Sequence, residues 1–330
     1  MTVNHRAIAV HPDPLATHEL QSGGSLLLVR PASFGFNAET AASNAFQRAP
    51  AVAAAELSAR AEREFDALVT ALRAAGVRCC VVADEAPPAR PDALFPNNWC
   101  SWHADGTLVL YPLLAPSRRL ERREAIIEAV CGATGFRIDR RIDLTAHEAA
   151  GQFLEGTGSL VLDRTERVAY ACRSPRTDAG LVRIWCEAMG YRPVLFDATD
   201  AQGGAYYHTN VMLWIGSRCA AVCLEAIASA QRETVRATLA ATHELIELDR
   251  SAVARFAGNM LEVRGSAGTG SAAPQLLMSA AARAALTGAQ RAQLAAHYDS
   301  WIVAEVPTIE SAGGGSVRCM VAEVPDVVAG

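Results

Sequence analysis

The chain has 330 residues, 51% of them hydrophobic and 20% charged, with a formal net charge of −5. That is enough apolar material for one large domain or two ordinary ones. There is no basic block to suit nucleic acid or an anionic membrane, and no apolar run approaches the roughly 20 residues of a membrane helix.

The first 24 residues open MTVNHRAIAVHPDP, lack the charged-then-apolar order of a signal peptide, and show no periodicity. They read as a loosely held arm on a soluble, cytoplasmic protein. After the arm one pattern returns at intervals of roughly 50–65 residues: strand or hairpin, helix, strand. SLLLVRP (25–31) precedes the helical ELSARAEREFDALVTALRAAG (56–76) and then VRCCVVAD. CSWHADGTLVLYP holds a hairpin turn at Asp105-Gly106 and leads into the helix RRLERREAIIEAVCGATG and then RIDRRIDL. SLVLDRTERVAYACRS, a helix over TDAGLVRIWCEAMG and RPVLFD form a third round. TNVMLWIGSRCAAVCLE, a helix near ASAQRETVRATLAATH and ELIELD form a fourth. NMLEVRG, PQLLMSA, a helix near TGAQRAQLAAHY and WIVAEVP form a fifth, and VRCMVAEV remains as a surplus strand.

Alternating strands and helices ordinarily indicate a doubly wound parallel sheet. Here hairpins recur within each unit, and a long-period repeat with a spare terminal strand suits a closed ring of five ββαβ units. Such a ring gathers four strand-end segments around one axis: FPNNW (95–99), FLEGTGS (153–159), YYHTN (206–210) and GGGSVRC (313–319). They supply Asn97, Asn98, Glu155, His208, Asn210 and Cys319. A thiol nucleophile needs a proton-transfer partner, and His208 can serve, with Glu155 to orient the imidazole or accept from a substrate. Taken singly, a histidine after two tyrosines is more often structural, and a GGGS run is more often a loose loop. The common position within a repeat is what favours the chemical reading.

The nine cysteines have no paired spacing, so neither a disulfide framework nor a zinc site is expected. Most lie in apolar surroundings, as in RCCVVAD and RCAAVCLE; Cys319 alone follows a glycine loop. GSAGTG (265–270) lacks the strand-to-helix context and lysine of a phosphate loop, and HExxH and GxSxG are absent.

Together, VRPASFGFNAETAASNAFQ, FPNNWCSWHADGTLVLYPLLAPSRRLERR, LEGTGSLVLDR, HTNVMLWIG and GGGSVRCMVAEV resemble the pentein, or guanidino-group-modifying, superfamily. That group includes arginine deiminases, dimethylarginine hydrolases and amidinotransferases, and the citrulline-utilisation hydrolase family is the most similar. The resemblance implies a single α/β domain over 1–330, a five-bladed ββαβ propeller with pseudo-fivefold symmetry. It implies Cys319 as nucleophile, His208 as general acid/base and Glu155 as acidic partner, with Phe95, Asn97, Asn98 and Asn210 around the substrate. APSRR (115–119) and SPRT (174–177) are similar to stretches that bind the substrate α-carboxylate, which implies that role for Arg119 and Arg176. No metal or cofactor is implied, the partner is a small amino acid, and a homo-oligomer stays open.

One departure bears on the substrate. The deiminases usually place aspartates where Asn98 and Asn210 stand here. An amide is neutral and offers both a donor and an acceptor. A cation buried without anions costs several kcal/mol, so the expectation is a neutral ureido substrate such as citrulline, cleaved to ornithine, ammonia and carbon dioxide. A deiminase or amidinotransferase on the same fold is the alternative, and a non-catalytic binding propeller a more distant one.

Overall fold

The computed structural model describes residues 19–265 and 273–326. Most of the expected arm, and nearly all of GSAGTG, lie outside the described residues. Among the described residues, fifteen strands form five separate three-stranded sheets. In chain order they are β1 Ser25–Arg30, β2 Arg78–Ala83, β3 Cys100–Trp102, β4 Thr107–Leu110, β5 Arg140–Asp143, β6 Val161–Asp163, β7 Val168–Cys172 and β8 Arg192–Phe196. They continue as β9 Leu213–Ile215, β10 Cys219–Val222, β11 Glu244–Glu247, β12 Leu261–Arg264, β13 Pro274–Ser279, β14 Trp301–Ala304 and β15 Ala322–Val324.

Each sheet has one antiparallel and one parallel pair, because the parallel partner must return through a crossover helix. In the second sheet β3 and β4 form the hairpin and β4 pairs β5 in parallel after the helix Glu124–Thr134. The hairpin turns where Asp105-Gly106 predicts it: Gly106 takes φ +76° and its N–H donates to the His103 carbonyl at 3.0 Å. The first sheet differs. Its antiparallel partner comes from the other end of the chain, with Ser25 opposite Val324, Leu26 opposite Glu323 and Leu27 opposite Ala322. The surplus strand therefore closes the ring, and the molecule is a five-bladed propeller.

The long crossover helix Ala54–Ala74 shows why the blades hold. Leu57, Ala61, Phe65, Leu68, Val69 and Leu72 form one apolar stripe, all of it buried. Burying each large apolar side chain contributes about 1.5–3 kcal/mol. Asp178 and Thr287 cap the crossover helices Ala179–Met189 and Gly288–Ala295 by accepting from Leu181 and Gln290 N–H. No described helix is long and apolar enough to cross a membrane.

Three local expectations change. RRLERR starts not as an α-helix but as a 3₁₀ segment, Pro116–Glu121, followed by the helix from Glu124. The closing strand is shorter than VRCMVAEV, because Cys319 N–H donates to Ser316 O and Met320 N–H to Val317 O, holding a turn before Ala322. Residues 19–24 are not loose: Gln21 Nε2 donates to the carbonyls of Leu162 and Ile215, and Ser22 Oγ donates to Glu262.

Leu27 sits at the closing seam, fully buried among Trp99, Trp102 and Ala322. Leu27→Ala should cost about 2–5 kcal/mol in denaturant unfolding. A loss below about 0.5 kcal/mol, the scale of a surface change, would contradict a packed seam.

Candidate active site

The axial strand of each blade is preceded by a tight turn, and these turns carry the polar residues. Pro96–Asn98 precedes β3, Gly156–Ser159 precedes β6 and Thr209–Val211 precedes β9. The 256–259 turn leads into β12, and the turn at 317–320 into β15. A cavity of about 270 Å³ opens among several of them, lined by Asp92, Phe95, Asn98, Arg118, Arg176, Tyr207, His208, Gly313 to Gly315 and Cys319, together with Thr40 and Asn44.

The GGGS segment is packed rather than loose. A Cβ on Gly313 would lie 3.0 Å from the Phe95 ring, and one on Gly315 would lie 2.9 Å from it. Gly314 has φ +65°, and its carbonyl accepts from Tyr207 Oη and Asn44 Nδ2. Its N–H donates to Glu310 O, so that group of the loop is not free for an oxyanion.

His208 is buried, and its Nε2 lies 2.9 Å from Glu155 Oε2. An ionised carboxylate only accepts, which puts the proton on Nε2 and leaves Nδ1 as the accepting nitrogen. Burial lowers the imidazole to about 4, outweighing the pull of Glu155. Burial pushes Glu155 up, but Arg176, the His208 hydrogen bond and Arg118 outweigh it and hold the carboxyl far below its usual range. The resting pair is therefore neutral imidazole beside carboxylate.

Phe95, Asn98, Arg176, His208 and Cys319 line the cavity as expected from sequence, and Glu155 lies directly behind His208. Three expected residues sit differently. Arg119 points away, donating to the carbonyls of Leu113 and Leu114 and pairing with Glu148. Its neighbour Arg118 enters instead, because successive residues of a 3₁₀ helix lie a third of a turn apart. Arg118 is buried, holds Glu121 through two 2.9 Å bonds and donates to Asn98 Oδ1 at 2.8 Å. Asn210 faces the sulfur rather than the cavity, with Nδ2 at 3.5 Å and Oδ1 at 3.9 Å from Cys319 Sγ. Asn97 is buried beside the site with both amide atoms unpartnered, and it does not line the cavity.

Like Arg118, both Asp92 and Asn259 escaped sequence reasoning. Asp92 lies at the cavity wall, where its Oδ2 accepts from Asn37 Nδ2 at 2.7 Å; burial pushes its carboxyl up against the pull of Arg118. Asn259 donates from Nδ2 to Cys319 Sγ at 3.3 Å. The repeat could have found Asn259, since it stands two residues before the axial strand of the fifth unit, where Asn98 stands two and Asn210 three residues before theirs. Burial raises the thiols away from this site, for example to about 11 at Cys79 and about 12 at Cys172, and keeps Cys100 well above its ordinary value. Among the described residues no His, Cys, Asp and Glu cluster is arranged to hold a metal.

A larger cavity of about 430 Å³ lies beyond Asn210, lined by Arg164, Glu262, Arg318 and Glu323 but by neither Cys319 nor His208.

Gly158 tests the geometry. A Cβ there would lie 2.5 Å from Asn98 Nδ2 and 2.7 Å from His208 Nδ1. Gly158→Ala should lower turnover about 100-fold by displacing both groups, while Gly132→Ala, with nothing within 4 Å, should leave it unchanged. Equal activity in the two variants would contradict this packing.

A family model described as N,N dimethylarginine dimethylhydrolase, eukaryotic, matches residues 30–325. No curated protein sequence matches. Among solved structures, the substrate-bound N-terminal domain of ArgZ, a cyanobacterial arginine dihydrolase, is 15% identical with a TM-score of 0.69; 92% of this chain and 99% of that domain are covered. Against full-length ArgZ the chain spans only 41% of the relative's length. Unliganded AgrE is 16% identical with a TM-score of 0.70, over 93% of this chain and 40% of AgrE. A dimethylarginine dimethylaminohydrolase adduct with S-methyl-L-thiocitrulline is 16% identical with a TM-score of 0.63, over 91% and 99% of the two chains. At such identities these structures establish the shared fold. The family match runs through all five blades and every segment of the cavity wall, and the chain belongs to the dimethylarginine dimethylhydrolase family of the guanidino-group-modifying penteins.

Proposed function

We infer that the protein is a cofactor-independent thiol hydrolase that cleaves a C–N bond at the ureido or guanidino carbon of a free amino acid, with citrulline as preferred substrate. The observation carrying this reading is the shared cavity of Cys319, His208, two buried arginines and a buried aspartate. Arg118 and Arg176 suit an α-carboxylate, and Asp92 suits an α-ammonium group. Cys319 Sγ attacks the ureido carbon, and its proton is relayed through the bound substrate to His208 Nδ1 on the cavity wall. The proton then goes to the departing δ-nitrogen, which leaves as ornithine, and a carbamoyl group stays on sulfur. Water, deprotonated by His208, attacks that carbonyl carbon; the C–S bond breaks, sulfur regains its proton, and carbamate decays to ammonia and carbon dioxide.

The preference for citrulline rests on Asn98. Arg118 can only donate, so Asn98 turns Oδ1 toward it and leaves Nδ2 as a buried donor without a partner. A donor suits a ureido oxygen and repels a guanidinium. The second reading, a guanidino substrate, is favoured by the ionised Glu155 beside the site and by the arginine and thiocitrulline bound in relatives.

Three outcomes are expected. Cys319→Ser should abolish ornithine release from citrulline while the thermal melt stays near wild type; retained turnover would remove Cys319 from the mechanism. Asn98→Asp should shift the kcat/KM ratio of citrulline to arginine toward arginine by about tenfold or more, and an unchanged ratio would mean that Asn98 does not meet the reacting group. His208 accepts a proton only when neutral, and its lowered value of about 4 extends that form to acid pH. The kcat/KM profile should therefore hold down to about pH 5 and fall below about 4, whereas an acid limb near the ordinary 6.5 would contradict the buried neutral imidazole.

A further inference from the structure

We propose that Asn259 is a further catalytic residue, a fixed hydrogen-bond donor that holds negative charge on the Cys319 sulfur. The proposal rests on the reading of Cys319 as nucleophile. Asn259 is fully buried, and all three of its side-chain contacts are determined. Its Oδ1 accepts the N–H of Arg318 at 3.1 Å. That bond requires oxygen on that side, so Nδ2 must face the other way. There Nδ2 donates to the Asn210 carbonyl at 2.8 Å and to Cys319 Sγ at 3.3 Å.

Asn210 is not constrained in the same way. Its two amide atoms both lie near the sulfur, so it can donate to a thiolate or accept from a thiol. Asn259 can only donate. A hydrogen bond to the charged form of a group favours that form, so Asn259 discriminates between the two states of the sulfur where Asn210 does not.

The backbone before Asn259 is built for this placement. Phe256 takes φ +63°, a conformation that costs a bulky residue about 1–3 kcal/mol, and its ring packs on Phe46 with centroids 5.1 Å apart. Its carbonyl accepts the Asn259 N–H at 2.8 Å. A Cβ on Gly258 would lie 2.4 Å from Val211 O and 2.7 Å from Met212 Cα, so only glycine lets this turn press against the turn that carries Asn210. The charged and titratable groups of the cavity beside the sulfur are His208, Tyr207, Asp92, Arg118 and Arg176. The Arg318 side chain turns instead to Val321 O and Glu323.

The test follows alkylation of Cys319 by iodoacetamide against pH, with peptide mapping, in the full-length wild type, Asn259→Ala and Asn259→Asp. The midpoint of the rate should move up by about one pH unit in Asn259→Ala and further in Asn259→Asp, with alkylation at pH 7 falling about tenfold or more. A purely structural role would lower the melting temperature and leave the midpoint where it was, and an unmoved midpoint in either folded variant overturns the proposal. If neither variant folds, the Asn259 side-chain amide resonances of the wild type decide. They should shift with the same midpoint as alkylation, and resonances that do not move overturn it. Alkylation consumes no amino-acid substrate, so it is independent of substrate choice, and activity in Cys319→Ser would separately remove the reading on which the proposal rests.

Discussion

The antiparallel pairing of Ala322–Val324 with Ser25–Arg30 is the constraint on which the rest depends. Without it the chain is an open array of five sheets with two exposed edges. With it, the turns that precede the axial strands are drawn to one end of a closed ring. Cys319 lies three residues before the closing strand, so the contact that completes the fold also brings the sulfur to Asn210 and Asn259 from two other blades.

Charge burial is the second determinant. Arg118, Arg176, Glu121, Glu155 and Asp92 are all nearly inaccessible to water. Ions removed from water are tolerated only when paired and hydrogen-bonded, and removing one partner of such a pair costs about 3–5 kcal/mol. The two arginines are accordingly tied down, Arg118 by Glu121 and Arg176 by Glu155, Ser43 and the Thr40 carbonyl. This network holds Glu155 ionised while burial keeps His208 neutral. A neutral imidazole held by an ionised carboxylate is therefore the resting state of the His208–Glu155 pair.

The repeat was readable because hairpin, helix and strand follow one another five times with ordinary signals: Asp105-Gly106 at a turn, and Leu57, Phe65 and Leu72 along one helical stripe. Glu155, His208 and Cys319 were legible from motifs at common positions in the units, and Phe95 and Arg176 from the family resemblance. What escaped was direction. Nothing in SRR distinguishes Arg118 from Arg119 until a 3₁₀ turn sends them apart, and Asn210 turns to the sulfur only because the 209–211 turn packs against the 256–259 turn. Asp92 carries no local signal at all; it reaches the cavity through a bend between β2 and β3. Asn259 stood in a visible repeat position, hidden because its unit begins with an apolar strand and no conspicuous motif.

The central claim is that Cys319 forms the covalent bond to substrate carbon. Its most direct measurement is mass spectrometry of the protein quenched during turnover of citrulline, with proteolysis to locate the added group. A carbamoyl adduct on the peptide carrying Cys319, absent when citrulline is omitted, is the expected result. Turnover with that peptide unmodified at every time point, or with the adduct on another cysteine such as Cys100, would contradict it.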